Sequence, residues 1–311
     1  MKNKILILMM SCNKDLYEKE ELACRETFLK DAEGAGIHYY FYKGGEEQVI
    51  DTENHTMFLR VSDGLGGTSI KTVLALNEAL KMDDWDYVIK TNVSTWLDVK
   101  KIQKAVNAME GREDFNIYGA RFLVNKASKN VPFPRDHFTI LSRSLVESVV
   151  RYAPSLIKAD GFPKTDDTLI CLALLYHIQK ASGKEYLGCL KEMPSVMSWT
   201  SGISEAQEWT DALSVRCKDE ETPDNTPDNM RAVHALKNTK NLKRSYTREV
   251  KLVETPYGLM SYGMYDKVMK ILSAQNQPAT EPEKKEEPRT EKKQTPVDKL
   301  AEIRKKLEGK R

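Results

Sequence analysis

Trp85-Asp86-Tyr87-Val88-Ile89-Lys90-Thr91-Asn92-Val93-Ser94-Thr95-Trp96-Leu97-Asp98 decides how this chain is organised. Tyr87, Val88 and Ile89 read as a buried strand that breaks into polar residues at its C-terminal end. A helical run from Val99 to Met109 follows. Open α/β sheets bind ligands where strands end in this way. Asn92-Val93-Ser94 is therefore the first place to look for a site.

Outward from that stretch, strand and helix patterns alternate. Ile5–Met10 reads as a strand and Leu16–Glu33 as a helix stopped by Gly34 and Gly36. The strands Ile37–Tyr42 and Met57–Val61 precede a glycine-rich turn at Asp63-Gly64-Leu65-Gly66-Gly67. Thr68 then caps a helix reaching Lys81, with Val73, Leu74, Leu76 and Leu80 toward a core. After Val99–Met109 come the strand Ile117–Phe122, the short strand Phe138–Leu141 and a helix Leu145–Tyr152 capped by Ser142. Thr165 caps a helix whose interior, Leu169 to Leu175, is apolar nearly all round and so expected to be buried. Ala212–Cys217 reads as a strand and Asp228–Leu236 as a helix. Strands separated by helices of this length predict an α/β fold with a mostly parallel central sheet.

The chain has 311 residues, 40 % apolar and 30 % charged, with a net charge of +2. That balance fits a globular protein and supplies no basic stripe, so no nucleic-acid partner is expected. Met1-Lys2-Asn3-Lys4 before Ile5–Met10 superficially resembles a signal peptide. The apolar run is short and lacks a small-residue cleavage site, so a first strand is the expectation. No run reaches the roughly 20 apolar residues of a membrane span. The five cysteines, Cys12, Cys24, Cys171, Cys189 and Cys217, are scattered without metal-ligand spacing. Reduced thiols in a cytoplasmic protein are expected. Beyond about Ser273 the composition shifts to Pro, Glu, Lys, Gln and Thr. Residues 273–295 read as a disordered charged linker. Residues 296–311 read as a short helix with a weak apolar stripe, Val297, Leu300, Ala301 and Leu307, for a protein partner, a membrane-associated complex or solvent.

Several landmarks resemble one family in order. Cys24-Arg25-Glu26-Thr27-Phe28 resembles an Arg-x-Thr-Trp segment, and Lys71-Thr72 matches a Leu-Lys-Thr helix. Asp86 to Thr91 matches a Tyr-x-x-Lys-x-Asp strand up to its metal motif. Thr139 to Val146 resembles Gly-Tyr-Val-Leu-Ser-x-x-Leu-Val, and Asp166-Asp167-Thr168 matches Glu-Asp-Val. All belong to the β-1,3-galactosyltransferase and Fringe-like family, which the chain resembles over roughly residues 2–190. Bacterial and viral relatives are similar in ending this strand Asn-x-Ser-Thr. The resemblance implies a GT-A fold over residues 1–272, with a nucleotide-binding half about 1–125 and an acceptor half about 126–272. It implies inverting transfer of a sugar from a nucleotide-sugar donor, UDP-linked sugars among the candidates, to a glycan acceptor.

The departure lies in Asn92-Val93-Ser94, which stands where the family's Asp-x-Asp holds its metal. Neutral Asn92 and Ser94 suit Mn or Mg poorly without carboxylate help. Either Asp98 or another carboxylate completes a metal site, or cations replace it. Arg216 and Lys218 alternate along one strand and share a face. An arginine fork and a lysine can together grip a diphosphate, though a solvated strand face would look the same. Asp167 matches the family's base, with Asp166 in support; a plain N-terminal helix cap is the alternative. Ser11, Cys12, Asn13, Arg25, Asp63, Lys71, Asn92 and Ser94 complete the expected donor site. Lys90 fits an ion pair within the sheet as well as a donor contact. Trp96, Trp199, Trp209 and His137 are candidates for stacking on an acceptor sugar, with core packing the competing role for each. Asn92-Val93-Ser94 also spells a glycosylation sequon, set aside without a secretion signal.

With no membrane anchor, the acceptor expected is a glycan on a lipid carrier at the inner face of the membrane, as in capsule or cell-surface polysaccharide assembly. The alternatives are a catalytically silent nucleotide-sugar-binding scaffold and a virus-encoded transferase acting on nucleic acid or protein. A dinucleotide-binding protein is disfavoured, since no Gly-x-Gly-x-x-Gly follows the first strand.

Overall fold

In the computed structural model the described residues are 3–120, 122–123, 132–134, 137–158, 165–196, 212–218, 223–237, 252–255 and 258–261. Chain contacts divide the protein into two compact units, Met1–Val250 and Lys251–Arg311. The linker, the terminal helix, Trp199 and Trp209 lie outside the described residues.

The first unit opens with β1 (Ile5–Met10), α1 (Asp15–Glu26), α2 (Phe28–Gly34), β2 (His38–Gly45), β3 (Val49–Asp51), β4 (Thr56–Arg60) and α3 (Thr68–Leu80). It continues with β5 (Tyr87–Asn92), β6 (Thr95–Leu97), α4 (Val99–Val106), β7 (Ile117–Gly119), β8 (Phe122–Leu123), β9 (Phe133–Pro134) and β10 (Phe138–Ser142). Then come α5 (Arg143–Lys158), α6 (Asp166–His177), β11 (Leu190–Glu192), β12 (Ser195–Val196), β13 (Ser214–Arg216) and α7 (Thr226–Lys237). The second unit contributes a described hairpin, β14 (Leu252–Thr255) paired antiparallel with β15 (Gly258–Ser261).

The core is an eight-stranded sheet in the order β11-β7-β10-β5-β1-β2-β4-β3. Strands β5, β1, β2 and β4 run parallel, β10 and β3 run against them, and β7 and β11 are parallel to each other. The fold is α/β with a large, mostly parallel sheet. Both faces of β1 and β5 are covered, Ile7 and Ile89 in one apolar cluster and Leu8 and Val88 in the other. Each such fully buried side chain contributes about 1.5–3 kcal/mol. That two-sided burial explains why the central strands read as unbroken apolar runs.

Three local expectations need correction. The helix expected over Leu16–Glu33 is broken at Thr27, whose Oγ1 donates back to the Ala23 carbonyl at 2.6 Å and ends α1. Thr68 lies inside α3 and Gly67 takes the cap position, with no side-chain cap bond. Ile117–Phe122 is two separate strands, β7 and β8. The other expected strands fall within a few residues of expectation, and the short strands β3, β6, β9, β11, β12, β14 and β15 were not foreseen. All five cysteines are free and buried.

Sheet order changes direction about β1, with β2 and β4 on one side and β5 on the other. The C-terminal ends of β1 and β5 therefore flank a switch point, where α/β sheets open a crevice. Met10 and Asn92 are paired in register there.

Candidate active site

Ser11, Cys12 and Asn13 leave β1 at that edge, and Gly44 and Gly45 end β2 beside them. Asp63 follows β4 and ties the group together. Its Oδ1 accepts from the Gly44 amide at 2.8 Å and the Lys71 ammonium at 2.7 Å, while Oδ2 accepts from the Asn13 amide at 2.5 Å. The Asn13 side chain donates to the Gly44 carbonyl at 2.8 Å. Lys71, 2 % exposed, also donates to the Ser11 carbonyl at 2.7 Å. Burial works to raise the Asp63 pKa, but Lys71 and the Asn13 and Gly44 amides outweigh it and hold the carboxyl low. Burial, then the nearby Asp63 charge, pushes the Cys12 thiol up.

Gly44 is required by this geometry. A Cβ there would sit 2.5 Å from the Val61 carbonyl oxygen and 2.7 Å from the Asp63 amide nitrogen. Beside it lies an open groove of about 490 Å³, lined by Asn13, Gly44, Gly45, Arg60, Ser62 and Asp63. A groove lined by Asn13, Ser62, Arg60 and two acidic residues, Glu46 and Asp63, suits a polar, hydrogen-bonding ligand.

The turn after β5 is closed by Asn92, whose Oδ1 accepts from the Ser94 and Thr95 hydroxyls, each at 2.8 Å. Asp98 caps α4, accepting from the Lys101 amide at 3.2 Å, and pairs with the Lys101 ammonium at 3.1 Å. The strand end thus offers a divalent cation neutral oxygens that are already bonded and a carboxylate committed as a cap. This donor set does not fit Mn or Mg.

Strand β13 arrives at the same turn from much later in the chain. It pairs antiparallel with β6, setting Arg216 opposite Thr95, and the Cys217 amide donates to the Ser94 carbonyl at 2.8 Å. On α1, Glu20 is close enough for the Arg216 and Lys218 charges to oppose the rise that burial imposes on its pKa. Glu21 next to it accepts from Ser11 Oγ and pairs with Lys43 at 2.8 Å. Glu20 and Glu21 are 4 % and 8 % exposed. Sequence reasoning missed Glu20, Glu21, Lys43 and Gly44. The available signal was Lys43, a cation closing an apolar strand and therefore in need of a buried partner.

Asp166 and Asp167 come together with Lys90. Lys90 Nζ lies 2.6 Å from Asp167 Oδ1 and also pairs with Asp166. Asp166 accepts from Thr72 Oγ1 at 3.3 Å, which in turn meets the Tyr42 hydroxyl at 3.2 Å. Burial alone would lower the lysine pKa, but the two carboxylates raise it well above its ordinary value. Lys90 is therefore an internal ion-pair partner.

Three expected site residues stand apart. The Arg25 guanidinium packs 4.7 Å over the Phe41 ring and donates to Tyr39 and the Asn54 carbonyl, stapling α1 to the β3–β4 turn. Trp96 is 3 % exposed and its indole donates to His234 Nδ1 at 3.3 Å. His137 is fully buried, its carbonyl accepting from Thr91 Oγ1 at 2.6 Å. Both rings are packed inside rather than presented as sugar platforms.

Fold and site together define an α/β protein with a polar groove beside a sheet switch point. No protein-family model matches the chain, and no curated protein matches it. Among solved structures it is similar to a glycosyltransferase involved in the glycosylation of the major capsid of PBCV-1, at 11 % identity and a TM-score of 0.45. That likeness covers 72 % of this chain and 99 % of the other, and is too slight to build on. No described helix is long and apolar enough to cross a membrane.

Proposed function

We propose that this protein is an inverting glycosyltransferase of GT-A type that binds a nucleotide-sugar at the edge formed by β1, β2, β4 and β5. The observation that carries the reading is the register of β13 against β6, which sets Arg216 opposite Thr95 beside Asn92-Val93-Ser94. The nucleoside occupies the groove at Asn13, Gly44 and Asp63. Its diphosphate lies toward Arg216 and Lys218, which take over the charge a metal carries elsewhere. An acceptor hydroxyl attacks the anomeric carbon as the bond to the diphosphate oxygen breaks. The proton goes to Asp167, and negative charge collects on the leaving diphosphate beside the two cations. Lys90 orients the Asp167 carboxylate through the 2.6 Å pair. The acceptor is a glycan, lipid-linked in the reading that suits capsule or surface polysaccharide assembly.

Supporting a second reading, Asp167 is 3 % exposed and ion-paired. In that reading Asp166 and Asp167 are counter-ions of Lys90, and the protein binds nucleotide-sugars without turning them over. Transfer and hydrolysis screened over several nucleotide-sugars, with and without EDTA, separate the two. Turnover that survives EDTA is expected. Activity abolished by EDTA and restored by Mn or Mg contradicts the metal-free account. Donor binding without any turnover favours the silent reading.

A further inference from the structure

We propose that Glu21 is a positioning residue for the nucleotide: it anchors Ser11 at the end of β1 and so sets Asn13 in the wall of the groove. The inference rests on the reading above, in which the nucleoside lies at Asn13, Gly44 and Asp63.

Glu21 stands on α1 and is 8 % exposed; its partner Lys43, on β2, is 7 % exposed. One oxygen, Oε1, meets the Lys43 ammonium at 2.8 Å and accepts from the Ser11 hydroxyl. Ser11 is 1 % exposed and takes no part in lining the groove. Its hydroxyl therefore acts on the chain rather than on a ligand.

The backbone of Ser11 is held as well. Its amide donates to the Tyr42 carbonyl at 3.0 Å, and its carbonyl accepts from the Lys71 ammonium at 2.7 Å. Lys71 in turn pairs with Asp63 at 2.7 Å. Two ion pairs thus grip one residue, Glu21–Lys43 through the side chain and Lys71–Asp63 through the carbonyl. Two positions further on, Asn13 gives its amide to Asp63 at 2.5 Å and its side chain to the Gly44 carbonyl at 2.8 Å. Asn13, Gly44 and Asp63 all line the groove.

A buried hydroxyl held by a paired carboxylate keeps one rotamer and one backbone position. The groove wall that follows it is then ordered before a ligand arrives. Releasing the hydroxyl lets the segment from Ser11 to Asn13 sample other conformations, and binding must order it at a cost in affinity.

The test joins calorimetric titration of the full chain with UDP, GDP, ADP and CDP to amide hydrogen exchange on the ligand-free protein. Ser11→Ala removes the hydroxyl and leaves both ion pairs in place. It is expected to bind the tightest diphosphate about tenfold more weakly, the scale of one hydrogen bond to a charged group. Exchange at the Asn13 amide is expected to quicken by a similar factor, with the β5 amides unchanged. The double variant Glu21→Leu with Lys43→Met exchanges the buried pair for apolar side chains and should reproduce both effects. Exchange at Asn13 that stays at the wild-type rate in Ser11→Ala overturns the inference. So does a rise spread equally over β5, which marks a purely structural role. Failure of every diphosphate to bind wild type overturns the groove reading instead, and the exchange rates still decide whether Glu21 anchors Asn13.

Discussion

The Lys90 ammonium lies 2.6 Å from the Asp167 carboxylate, with the lysine side chain fully buried and the aspartate side chain 4 % exposed. One strand end of the central sheet is thereby fixed to the N-terminal turn of α6. Removing the cation leaves Asp166 and Asp167 as buried carboxylates facing each other. Lys90→Met is expected to cost about 3–5 kcal/mol, the usual penalty for breaking a buried pair from one side. Denaturant titration measures it, and a loss below about 1 kcal/mol would show that water reaches the site.

Gly44 supplies a sharper local test. Its absent side chain lets the end of β2 lie against Val61 and Asp63. Gly44→Ala forces backbone apart and is expected to lose about 1–3 kcal/mol together with nucleotide affinity. Gly34→Ala, where a Cβ meets nothing within 4 Å, is the matched control and should leave binding unchanged.

Asp63 links the groove to Lys71. Asp63→Asn removes the charge partner of an ammonium that is 2 % exposed, while keeping the shape of the side chain. Lower stability and weaker nucleotide binding are expected together. Because the Asp63 pKa is held low despite burial, the stability it contributes is present above its unfolded value and fades as pH falls through the lower folded one. The difference between wild type and Asp63→Asn in thermal melts should therefore shrink in acid. A gap that widens in acid contradicts the pairing.

Glu20 has the opposite sign. Burial raises its pKa from 4.5 to about 7, so the folded state binds a proton more tightly than the unfolded chain. The cost of keeping it ionised is fully present above 7, on the order of 3 kcal/mol. It diminishes as pH falls toward 4.5. Glu20→Gln should raise the melting temperature near pH 8 and progressively less as the medium becomes acid. A uniform loss at every pH would mean that Glu20 is held by contacts its amide cannot replace.

Much of the fold was legible because the central strands are buried on both faces. Val88, Ile89 and Leu8 have no solvent side to alternate with, so their apolar runs stand out. Arg216 and Lys218 were expected to share a face of one strand, but β13 ends at Arg216 and Lys218 lies two residues beyond it. The meeting of Arg216 with Thr95 was not legible, since the register of β13 on β6 joins residues far apart in sequence. Glu20 and Glu21 were hidden for a different reason. Acids on a first helix ordinarily face water, but α1 packs against α7 and Glu20 is buried. The break at Thr27 depends on one hydroxyl turning back to Ala23, a choice that helix periodicity does not record.

The most direct measurement of the central claim is the affinity of the tightest-binding nucleoside diphosphate for wild type and for Arg216→Ala, by calorimetry at neutral pH. The account predicts binding to wild type and a loss of about tenfold or more in the variant, as befits one charge-assisted phosphate contact. Equal affinity in the two proteins would contradict it.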